Sequence, residues 1–253
     1  MKIVIASDLH ANLEALAVLP QERDQLWIVG DLVNYGPNPA EVVDFVRRNA
    51  TLVVRGNHDH AIGFREDARC VGRFRELAEA TGEYTQEQLR AKDREFLRGL
   101  PLQIDVELQG TQFHLCHAVP SDPLFGYAPP EAEDRWEKEC GRFTSNVLLV
   151  GHTHMPFVEQ FGKCLVVNPG SLGLPNNRSA LASYVVWENG RTSSCWTAYR
   201  SDVTAQKVRE MPVVGDVRED LATLLGGGEL SARQSRRTDN EISEGVMSAD
   251  RKR

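Results

Sequence analysis

Short apolar runs recur along the first 150 residues, and each ends on a polar cluster. Residues 2–7, 26–29, 51–54, 111–116 and 146–150 read as strands, too short for buried helices and bounded by glycine or charge. The clusters that follow them are Asp8-Leu9-His10, Gly30-Asp31, Gly56-Asn57-His58-Asp59, His117 and Gly151-His152-Thr153-His154. Open α/β sheets bind ligands beyond their strand ends, so the recurrence carries more than any one cluster.

Between the first strands the apolar spacing changes to that of a helix. Residues 11–19 end at Pro20, and residues 39–48 begin with proline and finish basic, which suits the two ends of a helix. A β-α-β-α-β order implies parallel strands joined by right-handed crossovers, so the first three strand ends converge. Residues 60–100 are charged and helix-favouring, with Phe74, Leu77, Ala78, Leu89, Phe96 and Leu97 as core candidates, and read as a helical insertion. Residues 102–108 and 111–116 flank Gln109-Gly110 as a hairpin, and a helical patch covers 130–140. Strands follow at 146–150, 157–161, 164–168, 181–188 and 192–199, the last two joined by Asn189-Gly190, a pair suited to a turn with positive φ. The predicted class is α/β: a two-sheet β-sandwich flanked by helices. Helices at 203–211 and 217–225 close a domain of residues 1–225. Residues 226–253 open on three glycines, carry few large apolar side chains, and are expected to be a disordered tail.

Composition narrows the function more than the fold. The chain has 253 residues, 41% hydrophobic and 26% charged, ordinary for a globular protein. No apolar stretch approaches the ~20 residues of a membrane span. The first strand begins at Lys2 without signal-peptide regions, so a cytoplasmic location is the default expectation. Cys70, Cys116, Cys140, Cys164 and Cys195 are odd in number and lack a CxxC, which argues against a disulfide framework or thiolate zinc site. The net charge of −7 argues against generic nucleic-acid binding.

Each polar cluster has an ordinary alternative. Asp8 and His10, two apart, leave one face of a strand end, but Asp8 could cap the next helix. Their mixed carboxylate and imidazole donors suit Mn, Fe or Zn better than Mg. His152 and His154 repeat the spacing, although loop histidines can titrate without binding anything. Asp31 could satisfy backbone donors, His117 could be structural, and Gly56–Asp59 could be a turn, its glycine allowing close backbone approach. His114 and His60 are set aside.

As an ordered set, Asp-x-His, Gly-Asp, Gly-Asn-His-Asp, His and Gly-His-x-His resembles the calcineurin-like metallophosphoesterase superfamily, over residues 1 to about 199. Ser7-Asp8-Leu9-His10-Ala11-Asn12, Gly30–Pro37 and Asn168-Pro169-Gly170-Ser171 are similar to its small bacterial and archaeal phosphodiesterase branch, whose fold is a four-layer α/β/β/α sandwich. The resemblance implies two divalent transition-metal ions, Mn first, with Fe, Zn, Ni or Co as alternatives. It assigns Asp8, His10, Asp31 and His154 to one ion, and Asp31, Asn57, His117 and His152 to the other. His58 stays unliganded, as the proton donor to the leaving oxygen while a metal-bridging hydroxide attacks. Where the phosphatase branch carries Asp and Arg, this chain has Asn34 and Tyr35, and Tyr cannot make the bidentate phosphate contact of Arg. The implied activity is that of a phosphodiesterase or nucleotide pyrophosphohydrolase on a small-molecule phosphodiester or nucleotide. The alternatives are hydrolysis of dinucleoside polyphosphates of the diadenosine tetraphosphate type, and a metal-binding scaffold without turnover. Asn57, Phe64 and Arg65 are candidate substrate contacts, with Arg69 and Arg73 as further guanidinium groups beside the site.

Overall fold

The structure, a computed structural model, describes residues 1–175, 180–228 and 230. Its layers follow from the first strand, β1 (Lys2–Ala6), whose side chains alternate between two faces. Ile3 and Ile5 enter a cluster with Trp27, Phe113 and Leu149, while Val4 and Ala6 enter another with Leu16, Ile28 and Val43. Both faces are apolar, so the strand needs cover on both sides.

One sheet runs β10 (Arg191–Ala198), β9 (Leu181–Glu188), β1, β2 (Gln25–Ile28), β3 (Leu52–Val53). The other runs β4 (Gln103–Leu108), β5 (Thr111–Cys116), β6 (Val147–Leu149), β8 (Cys164–Asn168), β7 (Phe157–Phe161). The expected parallel trio β1, β2, β3 is present, and β5, β6 and β8 form a second in the facing sheet. The sheets pack through the Ile3–Trp27–Phe113 cluster. Outside them, α1 (Leu13–Leu16), α2 (Pro39–Asn49) and α5 (Ala91–Gly99) cover the first, and α6 (Glu133–Cys140) covers the second by seating Trp136 against Phe157 and Phe161. The four-layer reading therefore holds. The two expected hairpin turns place their central residues at positive φ, with Gln109-Gly110 at 51° and 77° and Asn189-Gly190 at 51° and 80°.

Three boundaries differ from expectation. The helix expected over 11–19 is four residues long: the Asn12 side chain caps it by accepting from the Ala15 N–H at 3.1 Å, and Val18 and Leu19 then bond only three residues back before Pro20. β3 keeps only Leu52 and Val53. The motif Gly56–Asp59 does not end in a turn, because α3 (Asn57–Phe64) starts inside it. The helical insertion comprises α3, α4 (Gly72–Gln88) and α5. α4 packs through Leu77 with Tyr35 and with Val208, Leu221 and Leu225 of α7 (Ser201–Arg209) and α8 (Gly215–Leu225). Gly226, Gly227 and Gly228 finish α8, their N–H groups bonding to carbonyls of Ala222, Leu224 and Thr223. Residues 231–253, on which most of the tail expectation falls, lie outside the described residues. No helix among the described residues is long and apolar enough to cross a membrane.

Candidate metal centre

The loops after β1 and β2 are zipped together, with Asp8 N–H bonding to Gly30 O, His10 N–H to Asp31 O and Ala11 N–H to Leu32 O. Asp8, His10 and Asp31 all sit at positive φ, near 54°, 44° and 54°, and so do His152 and His154 at 66° and 58°. Such backbone is uncommon outside glycine, and it turns each ligand side chain back over its strand end.

Asp59, the third helical residue of α3, locks these loops to the helix. Its carboxylate accepts from the N–H groups of Asp31 (2.9 Å), Leu32 (2.8 Å) and Gly56 (3.0 Å). The ligand pattern alone gives Asp59 no role, although an acidic side chain three places past Gly56 is a helix-capping signal. Gly56 itself is needed for space, since an added Cβ would lie 2.0 Å from Asp31 Oδ1.

The histidine tautomers are fixed by backbone carbonyls, which only accept. Nδ1 of His10 lies 3.3 Å from Val33 O, Nδ1 of His154 3.0 Å from Leu174 O, and Nδ1 of His117 2.7 Å from Val29 O. Each Nδ1 therefore donates, and each Nε2 presents a lone pair to the centre. There His10 Nε2 faces His154 Nε2 at 3.1 Å, and Asp8 Oδ1 lies 3.2 Å from the latter. Asp8 Oδ1 is buried and has no hydrogen-bond donor. Nearby, Asp31 Oδ2 is 3.2 Å and Asn57 Oδ1 3.1 Å from His117 Nε2, and His152 Nδ1 is 3.2 Å from the same amide oxygen. Asn57 turns that oxygen inward because its Nδ2 donates to Ala68 O at 2.8 Å. The Asp31 carboxylate joins the two groups: Oδ2 is 4.0 Å from His10 Nε2 as well, while Oδ1 accepts the His58 N–H.

Carboxylate and amide oxygens crowd these imidazoles with no donor to Asp8 Oδ1, and such a set is stabilised by added positive charge. The same demand shows in the acid–base balance. Burial disfavours charge on His117, yet the Asp31 and Asp8 carboxylates raise its imidazole to about 10. Burial raises Asp8, but His154 and His117 prevail and hold it at about 2. Burial and His154 together press His10 down to about 3. The donor set, carboxylate and amide oxygens with imidazole nitrogens, fits divalent transition metals. All seven expected ligands are brought together.

His58 lies beside this cluster with both ring nitrogens engaged elsewhere. Asn34 Nδ2 is 3.0 Å from Nδ1, and Cys70 Sγ is 3.4 Å from Nε2. The amide cannot be reversed, because the Tyr35 N–H donates to its Oδ1 and Ala78 O accepts from its Nδ2, both at 3.2 Å. Asn34 thus donates to Nδ1, and Nε2 keeps a proton. Burial lowers His58, while Cys70 and Asp31 outweigh it and raise the ring to about 9; the amide opposes that second proton. The Tyr35 ring packs against those of His10 and His58, 4.9 and 4.8 Å away, and its hydroxyl donates to Phe74 O, so it does not reach the centre.

The expected substrate contacts divide. Asn57 is in the centre, and Arg65 borders a cavity beside it. Phe64 faces outward, 42% exposed, against His60 and beneath Arg55. Arg69 lies over the Phe125 ring, and Arg73 is bound to Asp220 (2.7 Å) and Asp216 (3.1 Å), so the Arg73 guanidinium does not stand free for phosphate as expected. His114 pairs with Asp105 at 2.8 Å and stacks on Phe143, and His60 meets Glu66 at 3.2 Å; neither joins the ligands. Cys70, Thr81 and the exposed Tyr127, whose ring lies 6.3 Å from that of His152, were not anticipated.

The model of the calcineurin-like phosphoesterase superfamily domain matches residues 1–190. An uncharacterized protein of Methanocaldococcus jannaschii is 30% identical over 207 residues, 74% of this chain and 82% of its own. Phosphodiesterase YfcE of Escherichia coli K12 is 30% identical over 204 residues, 75% of this chain and 88% of its own. The crystal structure of a metallophosphoesterase from Sphaerobacter thermophilus has a TM-score of 0.74 at 28% identity, covering 89% of this chain and all of that one.

Proposed function

The chain belongs to the calcineurin-like phosphoesterase superfamily and is a metal-dependent phosphoric ester hydrolase, and from that premise we propose that it hydrolyses small phosphodiesters, including nucleotide diesters, at a two-metal centre. The observation that supports this reading most is the cluster of carboxylates and imidazoles in which Asp8, His10 and His154, His10, Asp31 and His58, and Asp8, Asp31 and His117 each lie close enough to hold an ion. Asp8, His10, Asp31 and His154 would hold one ion, and Asp31, Asn57, His117 and His152 the other, with Mn the first choice. Two such ions supply an activated water and a clamp on the attacking and leaving oxygens.

The chain's own residues define the remaining roles. His58 keeps a proton on Nε2, beside Cys70 Sγ, and would pass it to the leaving oxygen as the P–O bond breaks. Asn34, held by Tyr35 N–H and Ala78 O, orients that ring. The buried Tyr35 stands where the phosphatase branch carries an arginine and cannot clamp a doubly charged monoester as a guanidinium does, which favours singly charged diesters. The test is a substrate panel with added Mn or Ni, comparing phosphomonoesters, aryl diesters, cyclic nucleotides and dinucleoside polyphosphates. Preference for monoesters would overturn the diester reading. Full metal content without turnover on any substrate would favour the scaffold.

A further inference from the structure

Beyond His58 lies a groove between α3 and α4, with a cavity of about 320 Å³. Asn34 and Cys70, the two residues that touch the ring nitrogens of His58, both border it, so the cavity lies one side chain away from that ring. Its α4 wall is one continuous helix face, Arg75, Ala78, Glu79, Gly82, Glu83 and Gln86. The surfaces nearest the helices are small or apolar, with Ala61 and Ile62 from α3, Ala68 from the connecting loop, and Ala78 and Gly82 from α4. Gly82 has room, since a Cβ there would meet nothing closer than Ile62 Cδ1 at 3.9 Å. A mid-helix glycine carries a conformational cost, and here it leaves the groove a width that any side chain would narrow.

The charges around this slot are mostly negative. Glu66, Asp67, Glu79 and Glu83 border it, against Arg65 and Arg75, and Arg75 is already committed to the Cys70 carbonyl at 3.0 Å. Carboxylates accept hydrogen bonds from hydroxyl and amino groups and repel phosphate. We infer that the α3–α4 groove receives the leaving group of the diester, and that this group is a nucleoside-sized alcohol rich in hydroxyl or amino donors and carrying no further phosphate. The inference rests on the phosphodiesterase reading and on His58 as proton donor. In the reaction, water oxygen bonds to phosphorus and releases a proton to solvent, the P–O bond to the alcohol breaks, that oxygen takes the His58 Nε2 proton, and solvent returns a proton to His58.

The test uses the Mn-loaded full chain and two diesters that share a thymidine: thymidylyl-thymidine, whose leaving group is thymidine, and the p-nitrophenyl ester of thymidine 5′-phosphate, whose leaving group is a small phenolate. Gly82→Phe, which fills the slot, should lower kcat/KM for the first about tenfold or more relative to the second, with Gly82→Ala and thermal melting as controls of folding. Diadenosine tetraphosphate, whose leaving group carries phosphate, should be a poorer substrate than thymidylyl-thymidine, and Glu79→Gln with Glu83→Gln should narrow that gap several-fold. Equal losses on both thymidine esters in Gly82→Phe, or a wild-type preference for the tetraphosphate, would overturn the groove assignment while leaving the diesterase intact. If neither thymidine ester is cleaved by fully metallated protein, the phosphodiesterase reading falls and the groove assignment with it.

Discussion

Replacing Gly56 by alanine isolates how closely the backbone approaches Asp31, the proposed bridging ligand. Gly56 has φ of −88°, open to any residue, so the substitution imposes no backbone strain and its whole effect is steric. The new Cβ would lie 2.0 Å from Asp31 Oδ1, 2.4 Å from Asp31 N and 2.7 Å from Asp31 Cγ. Relief requires the carboxylate to retreat by roughly 1 Å, several times the ±0.2 Å that metal–ligand distances tolerate. That retreat also pulls Oδ1 from the His58 N–H, now at 2.9 Å. Overpacking of this kind costs about 1–3 kcal/mol, and at 2–4 °C per kcal/mol for a chain of this size the melting temperature should fall by about 2–12 °C. Turnover should fall further, by about 10²-fold, because it depends on placement to within an ångström. Thermal melting, elemental analysis after dialysis against metal-free buffer, and diester hydrolysis with Mn measure the three effects. Gly82→Ala, where space is open, should instead gain about 0.5–1 kcal/mol. A Gly56→Ala protein with wild-type metal content and turnover would refute the role given to this contact.

Other outcomes follow from the same geometry. His58→Ala should lose turnover while retaining metal, and Asp31→Ala should lose both ions; elemental analysis beside diester hydrolysis separates them, and full activity in His58→Ala refutes its assignment. Arg73→Ala removes the guanidinium from Asp220 and Asp216 and should cost about 1–3 kcal/mol of stability with KM unchanged, whereas a raised KM would return Arg73 to the substrate. Chelated protein should regain melting temperature as Mn is titrated back, by about 1.4 kcal/mol for each tenfold excess over Kd, and a melting temperature indifferent to metal would argue against binding in the buried cluster.

The candidate centre was more legible than its surroundings for a physical reason. Ligands at strand ends are tied to local apolar periodicity, so 2–7 and 26–29 announce where Asp8 and Asp31 fall, and the parallel order follows from the intervening helices. Cys70 and Thr81 approach the site from an insertion whose helices are specified by charge and propensity, with no pattern that points inward. Arg73 showed the same limit: from sequence it was a cation near the centre, and only tertiary packing put Asp220 of α8 against it. Asn34 was recognised as a departure, but the direction of its amide depended on Tyr35 N–H and Ala78 O, groups that every sequence possesses.

The division of ligands between the sheets bears on when the protein becomes able to hold metal. Asp8, His10, Asp31 and Asn57 follow the parallel strands of one sheet, and His117, His152 and His154 those of the other. A chain emerging from the ribosome has offered four donors by residue 57, yet each proposed ion still lacks an imidazole from the second sheet. The first sheet is itself incomplete until β9 returns to pair with β1. Domains gain their structure as units during synthesis, at about 5–20 residues per second, so the proposed ions would be acquired late, by a chain whose two halves have already met.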